Sequence, residues 1–417
     1  MNYFSALGNP LSGPGLSTEG VSGSTVWRAL FALAVVLVLL ATTGWTAVRG
    51  NDVASGPRAA ALQAWEKGSF AGRPLPDPDS SPRRIAHWFK TLDPGQQRTL
   101  AQRYPLVVGN LGGAPLKLRY RANHQALVQA RDTERRRMTD ERLTDEGRHD
   151  AGRRMHRYES MLRPGRQFIA FDPTDRGRAA EVFGDLQHAE RLSVVVPGVD
   201  TEMLTFERSS RRYSAPVGMA SALQRQQQST APSERTATVA WADYNAPAGL
   251  GVEAASGGPA QEGAKRLNSF LRAVPASTDG AAPKMSLFCH SYGSVVCGVA
   301  AKKLPRSVTD IAVAGSPGMR ADNARQLKTR AHIWATRDRD DWIADVPHMN
   351  VGGLGHGADP VSKAFGARRI SSADSVGHTG YFVPGTRSLA NFAAIGTGSY
   401  SSVDCDTSDP DCSPSAL

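Results

Sequence analysis

The stretch Lys284-Met-Ser-Leu-Phe-Cys-His-Ser-Tyr-Gly-Ser-Val-Val-Cys-Gly298 is the most informative part of the chain. Its first half is a short apolar run, as in a buried strand, and its second half continues as an apolar helix. Ser291 lies at the sharp turn between them. A serine in such a turn is strained and exposed, and the helix behind it directs its N-terminal dipole at a developing oxyanion. The pattern predicts a nucleophile elbow at Ser291, and a serine in an ordinary polar loop is the alternative.

The residues beside Ser291 need to be small, because strand and helix backbones approach closely at such a turn. Gly293 meets this requirement, and Cys289 occupies the place where the usual G-x-S-x-G pattern has its first glycine. Cys289 and Cys297 both lie in apolar sequence. We therefore interpret them as buried small side chains and not as redox or metal-binding groups.

A nucleophilic serine also needs a base and an orienting carboxylate, which follow such an elbow in the order acid, then histidine. A strand-like run, residues 332 to 335, leads into a loop with three candidate acids: Asp338, Asp340 and Asp341.

Three histidines compete for the role of base. His378 lies in a glycine-flanked loop before a final helical segment and is the predicted base. His356 precedes the last predicted strand, residues 368 to 371, and so comes too early in the chain. His290 adjoins the nucleophile, but an elbow would point its side chain away from Ser291.

An oxyanion hole takes one backbone N–H from the residue after the nucleophile, here Tyr292, and one from a loop after an earlier strand. The run from Val194 to Thr201 has this form, because an apolar strand ends in Pro197-Gly198. We expect Val199 to supply the second N–H, and a purely structural Pro-Gly turn is the alternative.

The region from 166 to 398 alternates short apolar runs with helical stretches, which predicts an α/β fold with a mostly parallel, buried sheet. A helical segment, residues 83 to 165, precedes it, and the mixed-sign charge run from 131 to 157 predicts a solvated helical hairpin. The strands predicted besides the last one are residues 168–171, 180–183, 192–196, 238–241, 285–288, 311–314 and 332–335.

The N-terminal part reads as a membrane anchor with flanking polar segments. Residues 1–26 are Gly/Ser/Pro-rich and predicted to be disordered, and residues 50–82 are predicted to be a linker. Between them, residues 27–49 contain 20 consecutive uncharged residues, Ala29 to Val48, flanked by Arg28 and Arg49. A helix of that length matches the hydrocarbon core of a bilayer, which predicts an uncleaved transmembrane helix; a cleaved signal and a buried core helix are the alternatives.

The C-terminal residues 399–417 are acidic and Ser/Pro-rich, which favours a disordered tail. Cys405 and Cys412 would close a short loop there in an oxidising compartment, and this pair favours a catalytic domain outside the cytoplasm. A calcium site is the alternative for this tail, from Asp404, Asp406, Asp409 and Asp411.

The net charge of +10 is spread along the chain, with no basic stripe or aromatic platform. This distribution argues against nucleic-acid binding. A preference for anionic lipid or for cell-wall polymer would explain the positive charge as well. The sequence predicts no cofactor and no catalytic metal, and it leaves the oligomeric state open.

Several motifs together resemble an actinobacterial α/β-hydrolase family that is catalogued as a domain of unknown function. They are Val-Val-Pro-Gly-Val-Asp-Thr (195–201), Ala-Trp-Ala-Asp-Tyr (240–244), Cys-His-Ser-Tyr-Gly-Ser (289–294), Ala-Gly-Ser-Pro-Gly (314–318), Asp-Trp-Ile (341–343) and Gly-His-Thr-Gly-Tyr-Phe (377–382). The resemblance covers about residues 100 to 397 and implies a serine esterase or lipase-like hydrolase. It also implies that the acid is Asp341.

The expected function is hydrolysis of a carboxylic ester, derived from lipid or cell envelope, by a Ser291–His378–Asp341 triad. A peptidase or thioesterase would use the same triad, so both remain alternatives. The third alternative is a non-catalytic envelope-binding module with the same fold.

Overall fold

The computed structural model describes residues 56–278, 281–349, 354–409 and 412. The segments predicted as disordered (1–26) and transmembrane (27–49) lie outside these residues. No helix within the described ranges is long and apolar enough to cross a membrane.

The core of the fold is an eight-stranded sheet in the order β10-β9-β8-β7-β5-β6-β4-β3. β4 is antiparallel to both of its neighbours and all other pairs are parallel. A separate two-stranded hairpin, β1 and β2, precedes the sheet. The strands are β1 (Ser69–Phe70), β2 (Arg73–Pro74), β3 (Gln167–Asp172), β4 (Arg178–Gly184), β5 (Arg191–Val196), β6 (Thr236–Ala242), β7 (Lys284–His290), β8 (Val308–Ala314), β9 (His332–Thr336) and β10 (Arg368–Arg369).

All eight predicted strands are confirmed, and helices cover both faces of the sheet. Every residue of β6 is buried, as a strand covered on both faces requires. The α-helices are α1 (Pro57–Glu66), α2 (Pro82–Lys90), α3 (Pro94–Arg103), α4 (Pro105–Val108), α5 (Leu116–Arg137), α6 (Asp145–Met161), α7 (Pro216–Thr230), α8 (Val252–Ala255), α9 (Gly258–Ser277), α10 (Gly293–Ala300) and α11 (Arg387–Thr397). Short 3₁₀ helices span Arg212–Ser214, Ala301–Lys303, Ala324–Leu327, Trp342–Asp345, Lys363–Phe365, Gly377–Thr379 and Tyr400–Ser402.

The two faces of the sheet belong to two apolar clusters. One contains α9 and α10 through side chains such as Leu267 and Val295. The other contains α7 and α11 through side chains such as Leu223 and Phe392. The result is a three-layer arrangement in which β7 and α10, the two arms of the predicted elbow, are both buried.

The helical segment before the sheet is confirmed, including the charged hairpin. α5 and α6 form its two arms, and Arg135 on α5 pairs with Glu159 on α6 at 3.0 Å. The two arms therefore exchange opposite charges at the surface, as the mixed-sign pattern predicts.

The prediction of a linker over residues 50–82 is wrong for its described part. Pro57 starts α1, and Trp65 near its end is completely buried. The Trp65 indole N–H donates to the main-chain oxygen of Pro76 at 2.7 Å, and its ring meets Tyr104 edge-on at 5.3 Å. One large aromatic side chain thus anchors a stretch that contains few other large apolar residues.

The prediction of a disordered tail over residues 399–417 is wrong up to Asp409. The side chain of Asn391 donates to the main-chain oxygen of Asp404 at 3.0 Å and accepts from its N–H at 2.8 Å. Ile370, next to β10, bridges Cys405 in antiparallel fashion, and Cys405 is disulfide-bonded to Cys412. Backbone pairing at the sheet edge, a covalent link and the burial of Val403 in one of the two apolar clusters order this tail.

The acids of this tail are occupied by protein groups. Asp404 pairs with Arg387 at 2.7 Å, and Asp409 accepts from the main-chain N–H of Arg369 at 2.7 Å. Asp411 lies outside the described residues. Within the part of the chain that is described, no group of three or more His, Cys, Asp or Glu side chains is arranged to hold a metal ion.

Candidate active site

Ser291 lies at the tip of a sharp turn between β7 and α10. Its φ of 54° places a non-glycine residue in the left-handed region, a strained conformation that such a turn requires. Its main-chain N–H donates to Ala314 at the end of β8 at 3.0 Å. A Cβ on Gly293 would lie 2.2 Å from the main-chain oxygen of Val196, so only glycine allows this approach.

The structure brings Ser291, His378 and Asp341 together from three separate segments. The Oγ of Ser291 lies 2.9 Å from Nε2 of His378. Nδ1 of the same ring lies 2.8 Å from Oδ1 of Asp341. Because a carboxylate can only accept, Nδ1 carries the hydrogen, and Nε2 is left to accept the hydroxyl proton of Ser291.

Three donors surround the carboxylate of Asp341. Besides His378, the Tyr381 hydroxyl donates to Oδ2 at 2.5 Å and the Ile343 main-chain N–H donates to Oδ1 at 2.9 Å. Burial alone would raise the pKa of Asp341, but the hydrogen bonds and the nearby imidazole hold that pKa below its usual value. The carboxylate therefore stays ionised and keeps His378 in one tautomer.

The two competing acids of the same loop have other positions. Asp338 accepts from the main-chain N–H of Gly377 at 2.9 Å, so it supports the loop that carries His378. Asp340 is exposed, with Arg339 at 3.6 Å. Neither contacts the imidazole of His378 in the way that Asp341 does.

His290 packs against the ring of His378, a contact that the sequence did not predict. The His290 ring is buried, and the two ring centroids are 4.8 Å apart. Its Nε2–H donates to the main-chain oxygen of His378 at 2.6 Å. The loop that carries His378 therefore meets the His290 side chain, while the imidazole within hydrogen-bond distance of Ser291 Oγ is that of His378.

His356, the rival base, lies beside Tyr292 and not beside Ser291. Its Nε2–H donates to the main-chain oxygen of Ala254 at 2.7 Å, and its ring meets the Tyr292 ring edge-on at 5.5 Å. The Tyr292 hydroxyl in turn donates to the main-chain oxygen of Ser256 at 2.9 Å. These contacts give His356 a structural role in a neighbouring loop.

The loop after β5 approaches Ser291 closely. A Cβ on Gly198 would lie 2.6 Å from Cβ of Ser291 and 3.2 Å from the main-chain nitrogen of Tyr292. Val199 lines the same pocket as Ser291. The Tyr244 hydroxyl donates to the main-chain oxygen of Pro197 at 2.6 Å and fixes the start of this loop. The two predicted oxyanion donors, Tyr292 and Val199, therefore belong to segments that meet at Ser291.

The interpretation of Cys289 and Cys297 as buried small side chains without a redox role is only half right, because they form a disulfide. Both are buried, as expected, and their Cα atoms are 6.5 Å apart. The bond joins the end of β7 to α10 on either side of Ser291. Strand and helix approach so closely at the elbow that two small side chains there come within bonding distance.

A pocket of about 150 Å³ opens in front of Ser291. Its lining includes Arg208, for which no partner is found among the described residues, and Thr205 from the segment after β5. This volume is below the ~300–1,000 Å³ of common ligand pockets, so it holds only a small part of a substrate.

Exposed apolar side chains lie in the loops at the same edge of the sheet as this pocket. All the large hydrophobic residues that are exposed within the described ranges follow the carboxyl ends of β6, β9 or β10, the edge at which Ser291 lies. The ring of Trp342 is 4.6 Å from that of His378. These exposed residues, here called the apolar rim, are Leu250, Val252, Trp342, Met349, Leu354, Val376 and Val383.

Sequence reasoning missed three groups that support the site: His290, Tyr381 and Gly315. Gly315 has a φ of 54°, and a Cβ there would lie 2.7 Å from Oδ2 of Asp341 and 3.1 Å from Nδ1 of His378. Two of these residues could have been found from their positions. Tyr381 follows His378 by three residues, and Gly315 directly follows β8, the strand that pairs with β7.

Comparison with known proteins agrees with this arrangement. A family model described as alpha/beta hydrolase matches residues 172–351. An uncharacterized protein of Mycobacterium tuberculosis is 30% identical over 196 residues, which are 46% of this chain and 73% of that protein. The chain belongs to the α/β-hydrolase family. This α/β-hydrolase is also 23% identical over 380 residues to a second uncharacterized protein of M. tuberculosis, covering 78% of this chain and 57% of that protein.

Among solved structures, a dienelactone hydrolase from Anabaena variabilis is 15% identical, with a TM-score of 0.30, and covers 43% of this chain and 78% of its own. A 2,6-dihydroxy-pseudo-oxynicotine hydrolase is 10% identical, with a TM-score of 0.35, and covers 82% of this chain and 96% of its own. Likeness at this level supports no statement about the substrate of this α/β-hydrolase.

Proposed function

We propose that this α/β-hydrolase is a serine hydrolase that cleaves carboxylic esters through an acyl-enzyme. The observation that carries the proposal is the pair of contacts of His378, 2.9 Å to Ser291 Oγ and 2.8 Å to Asp341 Oδ1, at a serine with left-handed backbone. Nucleophile, base and orienting acid then stand in the order that acyl transfer requires.

In this mechanism His378 takes the Ser291 proton while Oγ attacks the ester carbonyl carbon. The N–H groups of Tyr292 and Val199 stabilise the resulting oxyanion, and the start of α10 adds its dipole. The C–O bond to the alcohol then breaks, and the His378 imidazolium gives its proton to the departing alkoxide. Water, deprotonated by His378, releases the acid and restores Ser291.

The apolar rim supports an ester derived from lipid or cell envelope as the substrate. The pocket of about 150 Å³ has room for only a short acyl or alcohol portion beside Ser291. A longer apolar portion would have to extend over the rim, where the exposed side chain of Trp342 lies next to His378. Burial of such a chain would add roughly 0.8 kcal/mol for each CH₂ group.

The reaction type is tested with 4-nitrophenyl butyrate, butyryl 4-nitroanilide and a butyryl thioester at equal concentration. We expect the highest kcat/KM for the ester, and loss of all turnover in S291A. Faster hydrolysis of the anilide or the thioester would favour the peptidase or thioesterase alternative. Equal ester turnover in S291A would contradict the triad.

We also propose that residues 27–49 anchor the enzyme in a membrane with the hydrolase domain outside the cytoplasm. The uncharged run supports the anchor, and the disulfides Cys289–Cys297 and Cys405–Cys412 support an oxidising compartment. We expect the full chain to stay with membranes in high salt, and a chain starting at Gly56 to be released. Release of the full chain by salt would contradict the anchor, and free thiols in protein from its native compartment would contradict the location.

A further inference from the structure

A second cavity, of about 560 Å³, lies between the N-terminal helices and the hydrolase domain. It shares no lining residue with the pocket at Ser291. Arg58 of α1, Arg119 of α5, and Arg266 with Phe270 of α9 line it. We call it the cationic cavity, because the side chains in and behind its wall carry more positive than negative charge.

The excess is two charges among the buried and partly buried groups in and behind the wall. Four guanidinium groups (Arg58, Arg119, Arg178, Arg266) lie there with only two carboxylates (Asp172, Asp243). Asp172 pairs with both Arg178 and Arg58, and Asp243 pairs with Arg266 at 2.6 Å. Two carboxylates therefore serve three arginines.

The fourth arginine, Arg119, has no carboxylate within ion-pair distance among the residues that the structure describes. It is 4% exposed, and its guanidinium donates to the main-chain oxygens of Ile169 at 2.6 Å and Gly109 at 3.2 Å. Burial lowers the pKa of Arg119 to about 10. Carbonyl dipoles satisfy hydrogen bonds but leave the charge itself without a counterion.

Two further nitrogens in this wall lack any hydrogen-bond acceptor within the described residues. They are Nη1 of Arg58 and Nε of Arg178, both buried. An unpaired buried donor typically costs about 1–3 kcal/mol, and more when it is charged. Such an arrangement is stabilised when an anion enters the cavity.

The charges at the mouth of the cavity do not remove the excess. Lys265 pairs with Glu262 at 2.6 Å on the surface of α9. Arg272 and Asp79 line the cavity and carry opposite charges, so they add nothing to the total.

We propose that the cationic cavity binds a small organic dianion, with a phosphate monoester as the fitting chemistry. Its two negative charges match the two excess guanidinium charges, and guanidinium groups bind phosphate oxygens through paired N–H donors. The hydroxyls of Ser80 and Ser269 line the cavity as further donors. Leu62, Leu111 and Phe270 offer an apolar wall for the organic part of the ligand. The site is separate from the proposed ester chemistry at Ser291.

The test uses the full chain in detergent micelles, with phenyl phosphate and inorganic phosphate as probes and sodium chloride at equal ionic strength as reference. We expect phenyl phosphate to raise Tm by roughly 2–5 °C at saturation, with a smaller rise for inorganic phosphate. Titration calorimetry should show affinity for phenyl phosphate about tenfold weaker or worse in R58Q and in R119Q. R306Q, which changes an exposed arginine that does not line the cavity, should bind as the wild type does, and so should S291A.

Loss of binding in S291A would assign the phosphate to the active site and overturn the proposal. Equal Tm shifts with sodium chloride, or full affinity in R58Q, would also overturn it. If R119Q does not fold, the affinity of R58Q alone tests the proposal. R58Q should fold, because Asp172 still pairs with Arg178 in that variant. The ester turnover of R58Q is measured in parallel, so that failure of this proposal and failure of the proposed function are distinguished.

Discussion

The imidazole of His290 packs against that of His378, and its Nε2–H donates to the main-chain oxygen of His378 at 2.6 Å. The residue before the proposed nucleophile thus holds the loop that carries the proposed base. Burial, together with the neighbouring His378, lowers the pKa of His290 to about 3, so it is neutral at pH 7. A neutral donor fixes the loop without adding a positive charge beside the imidazolium that forms during catalysis.

His290→Phe should reduce kcat about 10- to 100-fold and leave KM nearly unchanged, because it keeps the ring packing and removes the donor to His378. His290→Asn, which keeps a donor, should recover part of the loss. Steady-state kinetics on 4-nitrophenyl butyrate give both values. Wild-type kcat in His290→Phe would show that the contact does not position the base.

The same residue should make stability depend on pH. The folded-state pKa of about 3 lies below the ordinary value of 6.5, so the unfolded chain binds the proton more readily. The contribution of neutral His290 is complete above pH 6.5 and is lost as pH falls towards 3, by up to about 1.4 kcal/mol per pH unit. The difference in unfolding free energy between wild type and His290→Phe should change by roughly 1.6 kcal/mol, at the expense of the wild type, as pH falls from 6.5 to 5. A constant difference would contradict the burial of neutral His290.

Asp341→Asn should lower kcat by about 10⁴, because an amide cannot hold His378 in the required tautomer. Asp340→Asn is the matched control on the exposed side of the same loop and should change kcat less than about tenfold. Asp338→Asn should stay within about tenfold as well, since an amide oxygen still accepts from Gly377. If Asp338→Asn were the most damaging change, the orienting acid would be Asp338 and the triad would need revision.

Gly315→Ala should impair both stability and turnover, because its Cβ would collide with the Asp341 carboxylate and approach His378. Gly366→Ala is the control: Gly366 has a φ of +79°, and its added Cβ would meet nothing within 4 Å. Both substitutions cost backbone strain of roughly 1 kcal/mol, but only Gly315→Ala should reduce kcat, by about 100-fold or more. Equal kcat losses in the two variants would mean that strain, and not displacement of the acid, is responsible.

The sequence was sufficient for the sheet because its strands are apolar on both faces and bounded by polar turns. The elbow, the base and the oxyanion loop followed from the same pattern, since the carboxyl ends of parallel strands meet at one edge. The choice of Asp341 needed the family resemblance, because three acids share one loop and only the fold decides which one reaches His378.

The failures have a common physical origin in contacts between distant segments. Residues 57–74 and 399–409 carry few large apolar side chains, and contacts with distant residues, such as those of buried Trp65 and the Asn391–Asp404 pairing, hold them in place. The Cys289–Cys297 bond depends on a Cα separation that only the close approach of strand and helix creates. The contact between His290 and His378 likewise depends on the fold, because the two residues are 88 positions apart in the chain.

Covalent labelling of Ser291 by a fluorophosphonate is the most direct test of the central claim, that Ser291 is a nucleophile activated by His378. We predict one phosphonyl adduct on the peptide that contains Ser291, no adduct there in S291A, and labelling at least about 100-fold slower in His378→Ala. Ser214→Ala, which removes another serine that lines the pocket, should label at the wild-type rate. A folded wild-type protein that stays unlabelled, or that labels at the same rate without His378, would contradict the account.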